Sequence, residues 1–279
     1  SVPISCNASL AVGLSAENKN KNRYKNISAY DHSRVQLVAD SSKGQGDYIN
    51  ASFIQGYHKK ETFIASQGPS KVILGDFVRL LWEQKSDIVV MLTNLVEQGK
   101  QKCEQYWPET TDLELGEIIV KLLSSQVLSD CVIRKLQLIK NQATHTVTQY
   151  HFTTWPDKSV PSTPWALVDF QQRVFSQPTN KPIVIHCSAG VGRTGTFIAL
   201  RNVIKEAEDT GHMDFYTTLC KLRQDRINMI QTVEQFIFLH EAAQVAIACL
   251  GTTIASGDLS QKIDELEEKT ASGHSKMEK

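Results

Sequence analysis

The chain has 279 residues with 30 basic and 30 acidic side chains, a formal charge of zero. That balance excludes a global field that would draw nucleic acid or an anionic membrane, so any anion site must be built locally. A hydrophobic content of 41% at this length supports one large core rather than two small domains, and no apolar run approaches the roughly 18 residues of a bilayer span.

Six cysteines (Cys6, Cys103, Cys131, Cys187, Cys220, Cys249) are scattered without a CxxC pair, which predicts a reducing compartment. The eight histidines form no HExxH or other ligand pattern, so no metal and no cofactor is expected. The first ten residues lack the charged and apolar regions of a secretory leader. The chain opens on Ser1 rather than Met, which predicts a piece of a longer protein, with attachment to a membrane through another part left open.

In chain order, residues 1–20 read as a polar lead-in with some helical character. Asn22-Arg23-Tyr24-Lys25-Asn26 and Tyr30 to Val35 are dense in hydrogen-bonding side chains, either a surface loop or a polar network around a site. Asp47–Ile54 alternates and pairs with Thr62–Ser66 across Gln55–His58 as a hairpin. Val72, Ile73, Phe77, Leu80 and Leu81 mark a helix to about Lys85, and Ile88–Leu92 a buried strand. Glu97–Pro108 is a charged loop, read on its own as a solvated hairpin tip. Ile118–Leu122, Cys131–Leu138 and His145–Phe152 are predicted antiparallel strands with one wet face. A Pro-rich loop, Thr154–Pro161, leads to a helix near Pro164. Beyond the central motif, Phe215, Leu219 and Leu222 mark a helix, Val233–Leu250 is apolar enough to predict a buried helix, and Gly251–Lys279 reads as a linker with a short amphipathic helix on Leu259, Ile263 and Leu266.

The most informative stretch is Pro182 to Phe197. Pro182-Ile183-Val184-Ile185 predicts a strand buried on both faces. The chain then curls through Cys187, Ser188, Ala189, Gly190, Val191 and Gly192 into a helix that starts at Arg193-Thr194-Gly195 and runs to about Glu208. Successive N–H groups in such a curl converge, and the helix adds its positive end, so the curl is a site for a dianion. A free thiol has a pKa near ~8.5, and these donors favour its anion, which makes Cys187 a candidate nucleophile. Arg193 can hold two phosphoryl oxygens bidentately and follow the charge as a bond breaks. Thr194 can hydrogen-bond the sulfur. Cysteines after strands are often only small hydrophobes, but the glycines and arginine at fixed offsets favour chemistry here. His186 suits a role in orienting the loop through backbone rather than in moving protons.

A phenolic leaving oxygen needs a proton, and Asp157 is the candidate acid. The same carboxylate can accept a proton from water in a second step. Flanking prolines stiffen its loop and Trp155 supplies an apolar hinge, although a Pro-Asp pair alone is also an ordinary turn.

The sequence HCSAGVGRTG resembles the signature of the cysteine-dependent protein tyrosine phosphatases. DYINASFI, FIASQGP, NRY, KCxQYWP, WPD and QTVEQ match the same family, over about residues 20 to 250. The resemblance implies an α/β fold, a single twisted mixed sheet flanked by helices, with the catalytic domain over 21–250 and a linker over 251–279. It implies hydrolysis of phosphotyrosine in proteins through a cysteinyl-phosphate, without a metal. It places Tyr24 at the pocket mouth, Asn26 beside the substrate backbone, Gln235 on the hydrolytic water with Gln231 assisting, Glu97 against Arg193, and Lys102 toward the acid loop. Ser159 stands where the family usually has glycine, two positions after the aspartate. If that position needs a left-handed backbone, closure is costlier and turnover lower. AIACLGTTIASGDL resembles the connector after the membrane-proximal domain of receptor phosphatases. That implies the cytoplasmic side of a single-pass receptor, phosphotyrosine proteins as partners, and a second phosphatase domain downstream as a further expectation. A phosphoinositide phosphatase fits less well because the cysteine loop carries no lysine, and a low-activity phosphotyrosine-binding module has only Ser159 in its favour.

Overall fold

The structure, a computed structural model, describes residues 6–156, 159–250 and 256–268. Its strands are β1 Arg34–Gln36, β2 Tyr48–Gln55, β3 Thr62–Ser66, β4 Ile88–Met91, β5 Val96–Glu97, β6 Lys100–Gln101, β7 Leu113–Leu115, β8 Ile118–Val127, β9 Cys131–Lys140, β10 Ala143–Phe152 and β11 Ile183–His186. Nine form one sheet in the order β1-β2-β3-β11-β4-β10-β9-β8-β7, and β5 with β6 is a separate small hairpin. The middle of the sheet is parallel, β3-β11-β4-β10, and both wings are antiparallel, so it is the mixed sheet expected.

The helices are α1 Ala11–Leu14, α2 Leu74–Glu83, α3 Trp165–Phe175, α4 Gly192–Thr210, α5 Phe215–Asp225, α6 Val233–Ala248 and α7 Leu259–Glu267. They divide the core in two. Ile183 and Ile185 of β11, with Ile88 and Val90 of β4, face a cluster shared with α3, α4, α5 and α6. Val184, Val89 and Met91 face the other cluster, against Phe77, Leu80 and Leu81 of α2. A strand covered on both faces has no wet positions to alternate with, which is why these runs read as continuous β-branched residues. β11 lies between β3 and β4, so whatever follows its carboxyl end emerges at the middle of the molecule.

Several elements differ from the sequence reading. β8, β9 and β10 run to ten residues each, five residues beyond the predicted stretch in β8 and two in each of the others. Register rather than burial carries their ends: Ser124, Ser125 and Gln126 pair with Lys135, Arg134 and Ile133. β1 and β7 were too short to give a period. Helix α6 is not buried all round. Phe238, Leu239, Ala242, Ala243 and Ala246 pack inward, while Val233 and Ile237 are exposed; small alanines on the inner face let an apolar sequence bury only one side. In the predicted linker, α7 covers Leu259–Glu267 with Leu259 and Ile263 exposed; residues 251–255 and 269–279 lie outside the described residues. No helix among the described residues is long and apolar enough to cross a membrane.

Candidate active site

Cys187 follows the last residue of β11, and α4 begins at Gly192, so the curl Cys187–Val191 joins strand to helix within five residues. Gly190 has φ +70°, and a Cβ built on it would stand 2.2 Å from the Ser66 carbonyl oxygen. Only glycine fits that left-handed, crowded position. Its N–H donates to the Cys187 sulfur at 3.3 Å. At Gly192 an added Cβ would come within 2.8 Å of the Gln235 amide, the end of a flexible side chain that would have to give way over the pocket. No side chain caps α4 at Val191, whereas Asp214 caps α5 and Thr232 caps α6. An uncapped helix start directs N–H groups and positive potential at whatever lies in front of it.

What turns the N–H groups inward is a residue the sequence reading left without a role. Arg226 is fully buried behind the curl. Its guanidinium donates to the Gly190 carbonyl at 2.8 Å and the Ala189 carbonyl at 3.1 Å, and to Asn50 Oδ1 and Ser52 Oγ at 2.8 and 3.1 Å. Carbonyls held on one side of a tight loop leave the amide protons on the other. Burial lowers the Arg226 pKa to about 10, and the charges of Tyr48 and Cys187 act the opposite way, so it stays a cation at neutral pH. A basic residue just before the QTVEQ stretch was the available signal, but nothing local shows which way it points.

Arg193, one residue into α4, is held by Glu97 in a two-pronged contact of 2.7 and 2.9 Å. It also donates to the carbonyls of Leu92 and Pro156 at 3.0 and 3.2 Å. Glu97 is buried and its Oε1 further accepts from Thr93 and the Asn94 N–H, so the pair is fixed rather than a loose surface bridge. The expected contact of Glu97 with Arg193 is therefore present. The hairpin of β5 and β6 that presents Glu97 turns through Gln98 and Gly99, both with positive φ.

His186 is fully buried. Its Nδ1 donates to the Cys187 carbonyl at 3.2 Å, leaving Nε2 to accept from the Tyr106 hydroxyl at 2.9 Å. Burial pushes this imidazole down to about 3, so it is neutral and suited to holding the loop. Burial likewise raises the neighbouring Cys103 thiol.

One open pocket of about 430 Å³ lies over the curl and is lined by Cys187, Ser188, Ala189, Gly192, Arg193, Tyr24, Asn26, Glu97, Lys102, Ser159, Gln231 and Gln235. Tyr24 stands over the rim because its loop is anchored on both sides. The Arg23 N–H donates to Gln67, its guanidinium to the carbonyls of Gly68 and Pro69, and Asn22 accepts from Tyr48 and Asn50. The segment is thus the polar network rather than a free loop. Tyr24 hydrogen-bonds Ser188 Oγ at 2.9 Å, and Ser188 in turn donates to the Lys102 carbonyl at 3.1 Å. Gln235 Oε1 accepts from the Gln231 N–H at 2.9 Å, and the Gln235 N–H donates to Thr232, so the expected capping box is half closed. Val191 is buried beneath the curl, and its carbonyl accepts from Gly195 and Ile230.

Two expectations stand differently. Thr194 is buried with its hydroxyl unpartnered, so it makes no hydrogen bond to the Cys187 sulfur in this arrangement. Asp157, the candidate acid, and Lys158 lie outside the described residues. Around them, Trp155 is buried against Phe152 and Phe238, and its indole donates to the Ser159 carbonyl at 3.0 Å, bridging the ends of the acid loop.

A thiol held in a tight backbone curl at the carboxyl end of a central parallel strand, beside a clamped arginine, is the architecture of the cysteine-dependent phosphatases. The family model described as Protein-tyrosine phosphatase matches residues 18–244, and the chain belongs to that family. It is 45% identical over 233 residues to the receptor-type tyrosine-protein phosphatase eta of Gallus gallus, covering 81% of this chain and 16% of that protein. It is 43% identical over 265 residues to tyrosine-protein phosphatase 99A of Drosophila melanogaster, covering 91% and 20%, and 37% identical over 277 residues to the receptor-type phosphatase zeta of Rattus norvegicus, covering 94% and 12%. The chain thus spans a fifth or less of the length of these relatives.

Proposed function

We propose that this domain, residues 21–250, hydrolyses phosphotyrosine in proteins through a cysteinyl-phosphate, as the cytoplasmic catalytic part of a receptor-type phosphatase. The observation that carries the reading is the convergence of Cys187, Arg193 and the uncapped start of α4 on one open pocket. A phosphoryl group in that pocket meets the sulfur from below and the guanidinium from the side. The Cys187 thiolate attacks phosphorus, a P–S bond forms and the P–O bond to the tyrosine breaks. Asp157 gives its proton to the departing phenolate oxygen. Water held by Gln235, with Gln231 assisting, then attacks phosphorus, Asp157 takes back a proton, and the thiolate leaves with inorganic phosphate released. The net change is ester plus water to tyrosine plus phosphate.

The supporting residues act by position. Glu97 holds the Arg193 plane toward the phosphoryl oxygens, His186 fixes the floor, and Tyr24 with Asn26 sets a depth that an aryl phosphate spans and a phosphoserine does not. Thr194, unpartnered now, is free to donate to the sulfur as charge returns to it in the second step. Lys102 and Trp155 serve the acid loop.

The test is steady-state hydrolysis of a phosphotyrosyl peptide by the reduced domain with chelator present. Turnover in the parent, none in Cys187→Ser, and a large fall in kcat for Asp157→Ala are expected. An inert parent that still binds the peptide would overturn catalysis in favour of recognition, and Ser159→Gly would then be examined for recovered turnover.

A further inference from the structure

The apolar composition of Val233–Leu250 predicts a helix hidden from water, yet its first two turns expose two large aliphatic side chains. Val233 is 71% exposed and Ile237 54%. They are four residues apart, so they stand one above the other on a single stripe. Isolated exposed aliphatics are ordinary, but this stripe begins inside a site: Thr232 and Glu234, on either side of Val233, line the phosphate pocket, as does Gln235. Further along, the His240 ring stacks on Phe215 of α5 with centroids 3.8 Å apart, which ties the helix face to its neighbour. From Val233 to His240 the helix rises about 10 Å at ~1.5 Å per residue. An extended peptide covers that distance in about three residues.

We propose that this stripe is a docking ledge for the substrate chain, seating an aliphatic or aromatic side chain a few residues from the phosphotyrosine. The inference rests on the phosphatase function proposed above. Its occupant follows from continuity, because Thr232 and Glu234 line the pocket on either side of Val233, so a chain whose phosphotyrosine fills the pocket and that leaves over the start of α6 runs along the stripe. Glu234, on the same turn, has no ion-pair partner among the described residues. Its carboxylate opposes an acidic substrate residue at the place where the stripe favours an apolar one.

The experiment uses phosphotyrosyl peptides in a serine and glycine background, each with one leucine or one glutamate at a position two to four residues to either side. The parent domain and the Val233→Ser/Ile237→Ser double variant hydrolyse the set, each normalised to its own turnover of para-nitrophenyl phosphate. Both positions are exposed, and thermal melting checks that the variant folds. Leucine on one side is expected to raise kcat/KM about fivefold over the background peptide, through KM, with the gain lost in the double variant and glutamate there unfavourable. Equal leucine preference in the two proteins would overturn the ledge and leave the phosphatase function standing. Failure of the parent on every peptide and on the aryl phosphate would overturn that function and the ledge with it. A dimer in sedimentation that the double variant loses would reassign the stripe to a second copy of the chain and overturn substrate docking.

Discussion

Replacing Arg226 with methionine keeps an unbranched apolar stem and removes every donor beneath the cradle. Four contacts are lost, two of them to the Ala189 and Gly190 carbonyls. A buried polar group left without its partner costs about 1–3 kcal/mol, so the two carbonyls alone represent about 4 kcal/mol of a total stability that is typically about 5–15 kcal/mol. For a domain of this size that is a fall in Tm of roughly 10 °C. The loop also loses what fixes its amide protons toward the pocket, and a displacement of about 1 Å there costs on the order of a hundredfold in kcat. Arg226→Lys restores charge without the planar fork and should fall between parent and methionine. Thermal melting and kcat on a phosphotyrosyl peptide, measured on the same preparations, decide the matter. An Arg226→Met protein that melts within about 2 °C of the parent and turns over within twofold of it would refute the assignment of this residue as the brace of the cradle.

Gly190→Ala should abolish turnover and lower Tm, since its Cβ would sit 2.2 Å from the Ser66 carbonyl at a positive φ; normal kcat in that variant would contradict the geometry. Tyr106→Phe removes the donor to His186 Nε2 and should cost about 1–3 kcal/mol in urea unfolding. Acid should weaken the fold through two histidines, because burial lowers His186 to about 3 and His151 to about 4 from the usual 6.5. Below pH 6.5 the unfolded chain binds protons that the folded one refuses, so stability falls as pH drops from 6.5 toward 4. At pH 5 each contributes about 2 kcal/mol of loss. Urea midpoints at pH 7 and pH 5 should differ accordingly, and His151→Gln should flatten the difference.

How much could be read from the sequence follows from how local each feature is. The strand, curl and helix around Cys187 are contiguous, so their geometry could be derived from residue order, including the cradle's need for glycine. Arg226 was opaque because half of its partners are backbone carbonyls and the others, Ser52 and Asn50, lie 174 and 176 positions earlier. The Glu97 contact with Arg193 spans 96 positions and was visible only through family resemblance. Helix α6 was misjudged because apolar content says nothing of which face turns inward: Phe238 and Leu239 pack with Ala242, Ala243 and Ala246, while Val233 and Ile237 are left outside. The polar tips of β8 and β10 could not be recognised as strand because cross-strand register extends them, not hydrophobic alternation.

The sequence separations that obscured the site also set when it can exist. Cys187 is floored by Arg226, clamped through Glu97 on Arg193, and roofed by Tyr24, whose hydroxyl meets Ser188 across 164 positions. A chain emerging from the ribosome therefore carries Cys187 for some forty residues of synthesis before the brace beneath it has been made, at about 5–20 residues per second. Through that interval the thiol is an ordinary one with no cradle around it. The cell gains a safeguard from topology: an unfinished phosphatase has nothing with which to hold a phosphate.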